Sequence, residues 1–295
     1  MFQTCSVKIK EDISSIKLPI IKRTVPKLSK KSFLNSHPDF IDNGGDRTVA
    51  IFIGCLANYN YTEIGDSLLK ILRHLKINVY LAKSQVCCGA PAYFTGDFNT
   101  VDHLSKKNID YFETFIDRVD GIIIPEATCS AMIKVDYEHY FHDQPKWQKR
   151  AKRVAKKVFM ATEWLDRYTD LNSVLAKKGK TSDEVVTYHD PCHSRKMQGI
   201  YKEPRNLVGQ NYQIDEMDDP NQCCGFGGIT MQTEKYHLAK EAGDSKASMI
   251  QKTGAEVVSA ECSACRVQLT DSLERNDVET KFRNPIELIA EALEK

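Results

Sequence analysis

Nine of the ten cysteines in this sequence fall into two sets: Cys55, Cys87, Cys88 and Cys129, then Cys192, Cys223, Cys224, Cys262 and Cys265. The sets repeat one order. A single cysteine comes first, then a Cys-Cys-Gly (87–89 and 223–225), then a closing cysteine that the second copy extends to Cys262-Ser263-Ala264-Cys265. Thiolates are soft ligands suited to iron–sulfur clusters or zinc. A Cys-x-x-Cys on a tight turn lets two sulfurs reach one centre. Two adjacent cysteines diverge in extended chain and need either a sharp turn or a centre with several metal ions. Gly89 and Gly225 supply the permissive backbone such a turn demands. Around the second pair, Gly225-Phe226-Gly227-Gly228 extends that freedom and leaves N–H groups for cluster sulfurs.

Ten cysteines in 295 residues is a high count, yet far below a disulfide scaffold. Adjacent pairs and a Cys-x-x-Cys, with no basic start and apolar run at Met1-Phe2-Gln3-Thr4-Cys5, point to metal or redox chemistry in a reducing compartment. Forty-one basic and forty acidic residues leave a net charge of +1, so composition offers no case for nucleic acid. No stretch approaches the ~18 consecutive apolar residues of a membrane span.

The elements that must position these thiols read as α/β. Short apolar runs at 49–53, 78–82 and 121–125 are predicted strands of a buried parallel sheet, and 185–188, 212–214 and 255–259 repeat them. Helical spacing joins Leu68, Leu69, Leu72 and Leu75, and a further helix is expected over about 98–118. Each cysteine group follows a strand, and the copies lie about 135 residues apart, which marks an internal duplication. In open α/β sheets, sites collect beyond the carboxyl ends of the strands, where separate clusters can converge. The expected organisation is an extended arm over 1–46, a first domain over 47–145, a connecting helix and linker over 146–183, and a second domain over 184–295. The basic amphipathic stretch from about 145 to 171 reads as a solvated helix face, with 175–180 as linker. Trp147 and Trp164 on it read as packing residues.

Met132 stands where a fifth cysteine of the first copy would sit, so its four thiolates suit a closed zinc site as well as an iron cluster. His189 and His193 flank Cys192. A histidine there could ligate or relay a proton, although a hydrogen bond to nearby backbone is its commoner use. Arg195 and Lys196 could face an anionic cluster or stay solvated.

From about residue 49 to 293 the chain resembles the cysteine-rich "CCG" domain proteins. These include the B and D subunits of heterodisulfide reductase, the glycolate oxidase iron–sulfur subunit, the lactate-utilisation iron–sulfur protein A and the anaerobic glycerol-3-phosphate dehydrogenase C subunit. The motifs that carry the resemblance are His189-Asp190-Pro191-Cys192-His193, Gln222-Cys223-Cys224-Gly225-Phe226-Gly227-Gly228 and Ala260-Glu261-Cys262-Ser263-Ala264-Cys265. The resemblance implies two tandem, duplicated three-layer parallel-sheet domains with cysteine clusters at the strand C-terminal ends. It implies Cys192, Cys223, Cys224, Cys262 and Cys265 as ligands of a 4Fe–4S cluster, non-cubane in the heterodisulfide reductase branch, with Gly225 at the cofactor. For Cys55, Cys87, Cys88 and Cys129 it implies an iron–sulfur cluster or zinc. The departure at Met132 places the chain nearer the glycolate and lactate branch.

Membership of that branch implies an electron-transfer subunit of a flavin-linked 2-hydroxy-acid dehydrogenase, serving a quinone or another acceptor. Its expected partners are a flavoprotein and a ferredoxin-type iron–sulfur protein, in the cytoplasm or peripherally on the inner face of the membrane. No Gly-x-Gly-x-x-Gly is present, so the hydroxy-acid chemistry would belong to the partner. A heterodisulfide-reductase-like thiol–disulfide oxidoreductase and a zinc-stabilised interaction module are the alternatives. Thr4-Cys5-Ser6-Val7-Lys8-Ile9 looks like the close of a ferredoxin-like segment with Ser6 in place of a proline.

Overall fold

A computed structural model describes residues 15–18, 23–227 and 235–294. Cys5 and Gly228 lie outside the described residues. Eleven strands are described: β1 (Ser15–Leu18), β2 (Arg23–Pro26), β3 (Phe40–Ile41), β4 (Thr48–Ile51), β5 (Asn78–Leu81), β6 (Gly121–Ile124), β7 (Val158–Met160), β8 (Val185–Tyr188), β9 (Gln213–Ile214), β10 (Val257–Ser259) and β11 (Lys281–Arg283). They form a five-stranded sheet ordered β3-β5-β4-β6-β7, a four-stranded sheet ordered β11-β10-β8-β9, and the hairpin β1-β2. Apart from β3, which runs antiparallel to β5, both larger sheets are parallel.

Stripped of β3, each sheet has its first strand flanked by its second and third, with the fourth outside the third. The duplication seen in the cysteines is therefore a duplication of topology. Side chains alternate across a strand, and β4 follows that rule. Val49 and Ile51 join a core that also takes Val186 and Val257 of the second half, while Ala50 points into the first half's other core. The shared core includes Leu68 and Leu72 of the helix Thr62–His74 and Ile286 and Ile289 of the helix Pro285–Glu294, which pack the halves together. With both faces of the parallel strands covered, near-continuous apolar runs are the expected sequence.

Two segments differ from expectation. The stretch 146–183 is not only helix and linker: the helix Pro145–Ala155 ends and β7 joins β6 as the fourth strand of the first sheet. Residues 175–178 are helical, within Leu171–Lys178. The basic face of Pro145–Ala155 is paired rather than simply solvated, with Arg150 on Asp110 and Glu113, Arg153 on Asp117, and Lys152 on Glu138. The described arm also reaches the second half. Arg23 is buried and donates to Gln268 Oε1 at 2.9 Å, and Thr24 N donates to Asp271 Oδ1 at 2.7 Å.

Candidate metal centres

Each first strand ends four residues before a helix-starting cysteine: Ile51 before Cys55 and Tyr188 before Cys192. Between the second strand and the next helix lies the Cys-Cys-Gly. Gly89 and Gly225 have φ of 90° and 89°, the left-handed region that glycine alone adopts freely. At Gly225 space agrees with conformation, since a Cβ would meet Ala242 Cβ at 2.8 Å. The turn aims a backbone N–H at the first sulfur of each pair, Gly89 N to Cys87 Sγ at 3.5 Å and Gly225 N to Cys223 Sγ at 3.4 Å.

All nine sequence-predicted cysteines converge into two groups, and each is a free thiol. In the first, Cys55 interacts with Cys87, Cys87 with Cys88, and Cys88 with Cys129. In the second, Cys192 meets Cys223, Cys223 meets Cys224, and Cys224 Sγ lies 3.5 Å from Cys265 Sγ, which in turn meets Cys262. Two thiolates held at about 2.3 Å on one tetrahedral ion stand roughly 3.8 Å apart, so this spacing fits a shared metal. Ligation needs thiolates, and without a metal only one sulfur of the first group and two of the second are drawn that way. Contacts with neighbouring thiols and burial push Cys55, Cys88, Cys192, Cys224 and Cys265 up, and burial pushes up Cys129. Neighbouring thiols, Cys55 and then Cys88, draw Cys87 down to about 3, and Cys192 and Cys224 draw Cys223 down to about 2. Cys265 lowers Cys262 to about 6.

Sheet register revises one reading. Ile51 pairs with Ile123 as Tyr188 pairs with Ser259, and counting on from there sets Cys129 opposite Cys265 and Glu126 opposite Cys262. Glu126 and Cys262 also hold the same N-cap position, at the starts of the helices Ala127–Ala131 and Ser263–Arg275. Glu126, not Met132, therefore stands where the second half has its additional cysteine; Met132 is a buried core residue. The Glu126 carboxylate is turned to the other half, accepting from Ser263 N at 2.8 Å and from Ser263 Oγ. Glu261 similarly accepts from Thr162 N at 3.2 Å and from Thr162 Oγ1. Burial raises both carboxyls to about 8.

The two groups are neighbours. Thr128 Oγ1 of the first half lies 3.5 Å from Cys262 Sγ and 3.5 Å from His193 Nδ1. The His193 ring packs on Phe94 with centroids 5.3 Å apart. Asp190 is fully buried between Arg195 and Arg205, so Arg195 is committed to a carboxylate rather than turned to a cluster, and Lys196 is exposed. His189 is fully buried; neither ring nitrogen makes a hydrogen bond of good geometry, and the backbone contact expected of it is a looser one to the Pro220 carbonyl. Sequence reasoning missed Glu126, Thr128 and the buried Lys246. Glu126 carried a readable signal, because Glu126-x-x-Cys129 has the spacing of Cys262-x-x-Cys265.

A family model for the cysteine-rich domain, CCG, matches residues 49–134 and again 186–270. The chain belongs to the cysteine-rich domain family. Each of the two matches covers the first three parallel strands of one sheet and one thiol group, with β3, β7 and β11 outside them. Among relatives, an uncharacterized iron–sulfur protein of Methanococcus maripaludis is 34% identical over 85% of this chain and 47% of its own length. Lactate utilization protein A of Bacillus subtilis is 30% identical over 82% of this chain and 98% of its own length. The B subunit of fumarate reductase (CoM/CoB) from Methanothermobacter marburgensis is 34% identical over 84% of this chain and 46% of its own length. The chain thus spans about half of two of these relatives and nearly the whole of the third. A hypothetical protein from Helicobacter pylori, covering 88% of this chain and 51% of its own at 12% identity and a TM-score of 0.54, shares the fold.

Proposed function

We propose that this CCG protein is the iron–sulfur electron-transfer subunit of a flavin-linked 2-hydroxy-acid dehydrogenase of the D-lactate or glycolate type, delivering electrons toward a quinone or another acceptor. The observation that carries this reading is the gathering of nine free thiols into two adjacent groups at the strand ends. The relative named lactate utilization protein A, matched along almost its full length, supports the 2-hydroxy-acid assignment.

Cys192, Cys223, Cys224, Cys262 and Cys265 would hold a 4Fe–4S cluster, and Cys55, Cys87, Cys88 and Cys129 an iron–sulfur cluster or zinc. When bound, such a cluster supplies one-electron transfer at a potential set by its charge, hydrogen bonds and exposure. The chain's own residues would set those terms. Gly225 N and Gly89 N point at ligand sulfurs, Thr128 faces Cys262, and burial of Cys88, Cys129, Cys224, Cys262 and Cys265 excludes water. A flavoprotein partner would oxidise the hydroxy acid, and a ferredoxin-type protein would link the two. No described helix is long and apolar enough to cross a membrane. A cytoplasmic site, peripheral on the inner face of the membrane, belongs to the same proposal.

The five-thiol second group and the fumarate reductase (CoM/CoB) relative favour, as a second reading, a thiol–disulfide oxidoreductase like heterodisulfide reductase. Anaerobic purification with iron and sulfide analysis, followed by reduction with D-lactate through a co-purified flavoprotein, tests the first reading. Turnover of a disulfide with a one-electron donor would replace it with the second. Zinc without iron or sulfide would leave only an interaction module.

A further inference from the structure

Behind the second thiol group lies a nitrogen that the first group lacks. The donor atoms of His189, Cys224 and Cys265 all lie within 4.8 Å of one another, and the three side chains are buried. His189 has no solvent and no hydrogen-bond partner of good geometry at either ring nitrogen. A buried polar atom is normally satisfied; the Pro220 carbonyl is near enough to take one ring nitrogen, and the other has only the two thiols beside it. A neutral imidazole has the free lone pair that a metal takes. By the sheet register that relates Ile51 to Tyr188, Phe52 is the first-half counterpart of His189, and it packs edge-on against Phe112 with centroids 5.8 Å apart. Packing alone is thus met by a hydrocarbon ring at this position.

We propose that His189 is a nitrogen ligand of the second centre, binding one metal ion together with Cys224 and Cys265. This rests on the reading that the second group holds an iron–sulfur cluster. A ligating histidine usually gives its other ring N–H to a carbonyl or carboxylate. The Pro220 carbonyl, which accepts from Asp190 N at 2.9 Å, lies near the ring for that role. As a ligand beside five anionic sulfurs, a neutral nitrogen leaves an iron–sulfur centre at a higher potential than a sixth sulfur would. Lys246 acts in the same direction. Its fully buried ammonium donates to Asp219 O at 2.6 Å and Met217 Sδ at 3.4 Å, and it interacts electrostatically with Asp219, Cys224, Asp190 and Cys265.

The test uses the full chain, prepared anaerobically with its iron and labelled with 15N-histidine. Pulsed electron paramagnetic resonance of the paramagnetic cluster should show a strongly coupled nitrogen that changes with the label. His189→Phe, which copies the first half, and His189→Cys should both abolish that coupling, and His189→Cys should lower the midpoint potential while iron is retained. A cluster without strong nitrogen coupling in the unmutated protein, or one whose coupling survives both substitutions, overturns the proposal and leaves the electron-transfer reading standing. Absence of iron and sulfide from the second group removes both.

Discussion

Where the first half places Phe52, Glu126 and Asn108 around its thiols, the second places His189, Cys262 and Lys246. Asn108 Nδ2 donates to the carbonyl of Cys87 at 3.1 Å, and its Oδ1 accepts from Val86 N at 3.1 Å, so a neutral amide holds the turn. Tyr137 OH completes that hold on Cys88 O at 2.8 Å. In the second half a buried ammonium takes the carbonyl of Asp219, four residues before Cys223. Backbone frame and thiol contacts match, yet one group is backed by apolar and neutral side chains and the other by a cation, an imidazole and a fifth thiol. A duplicated α/β frame sets where the sulfurs meet. The residues behind them set what charge the site tolerates, since burial magnifies each uncompensated charge.

The sharpest way to break the comparison is to remove one thiol from each half. Cys224→Ser should abolish most visible absorption of the anaerobically reconstituted protein, whereas Cys88→Ser should remove only the share belonging to the first group. Equal losses would show that the halves are not independent centres. Next in size is the carboxylate that stands in for a cysteine. Glu126→Ala strands the buried Ser263 N–H and hydroxyl, and should cost about 2–3 kcal/mol in denaturant unfolding, while Glu126→Gln keeps the acceptor and should cost less.

The same pair of carboxyls predicts a pH dependence. Glu126 and Glu261 each sit at about 8 when folded, against an ordinary value of 4.5. The folded chain then binds more protons between those values, so their contribution to stability is full below about pH 4.5 and lost as pH rises through about 8. Urea midpoints across that range should decline less steeply in Glu126→Gln.

Lys246→Met, which removes the cation but retains length, should lower the potential of the second centre and leave the first unchanged, as followed by redox titration. Smallest is Thr128→Val. Losing one hydroxyl contact to Cys262 should cost about 1 kcal/mol or less and leave iron content unaltered; a larger loss of iron would mean the first half helps to build the second centre.

Much of this was legible in the chain. The repeated cysteine order foretold two thiol groups at strand ends, because ligand chemistry needs those residue types and parallel strands need apolar runs before the turns. Gly89 and Gly225 announced the left-handed turns, since no other residue enters that conformation freely. β7 was obscured because Val158–Met160 is three residues long and sits inside a basic helical pattern. The partner of Glu126 could not be read either. Ser263 is 137 residues away, and only strand pairing sets the register that places Glu126 opposite Cys262. Residue types and their spacing thus determined which chemistry the chain can carry. Tertiary structure alone decided which buried charges face each thiol group, because that depends on contacts between segments that sequence leaves far apart.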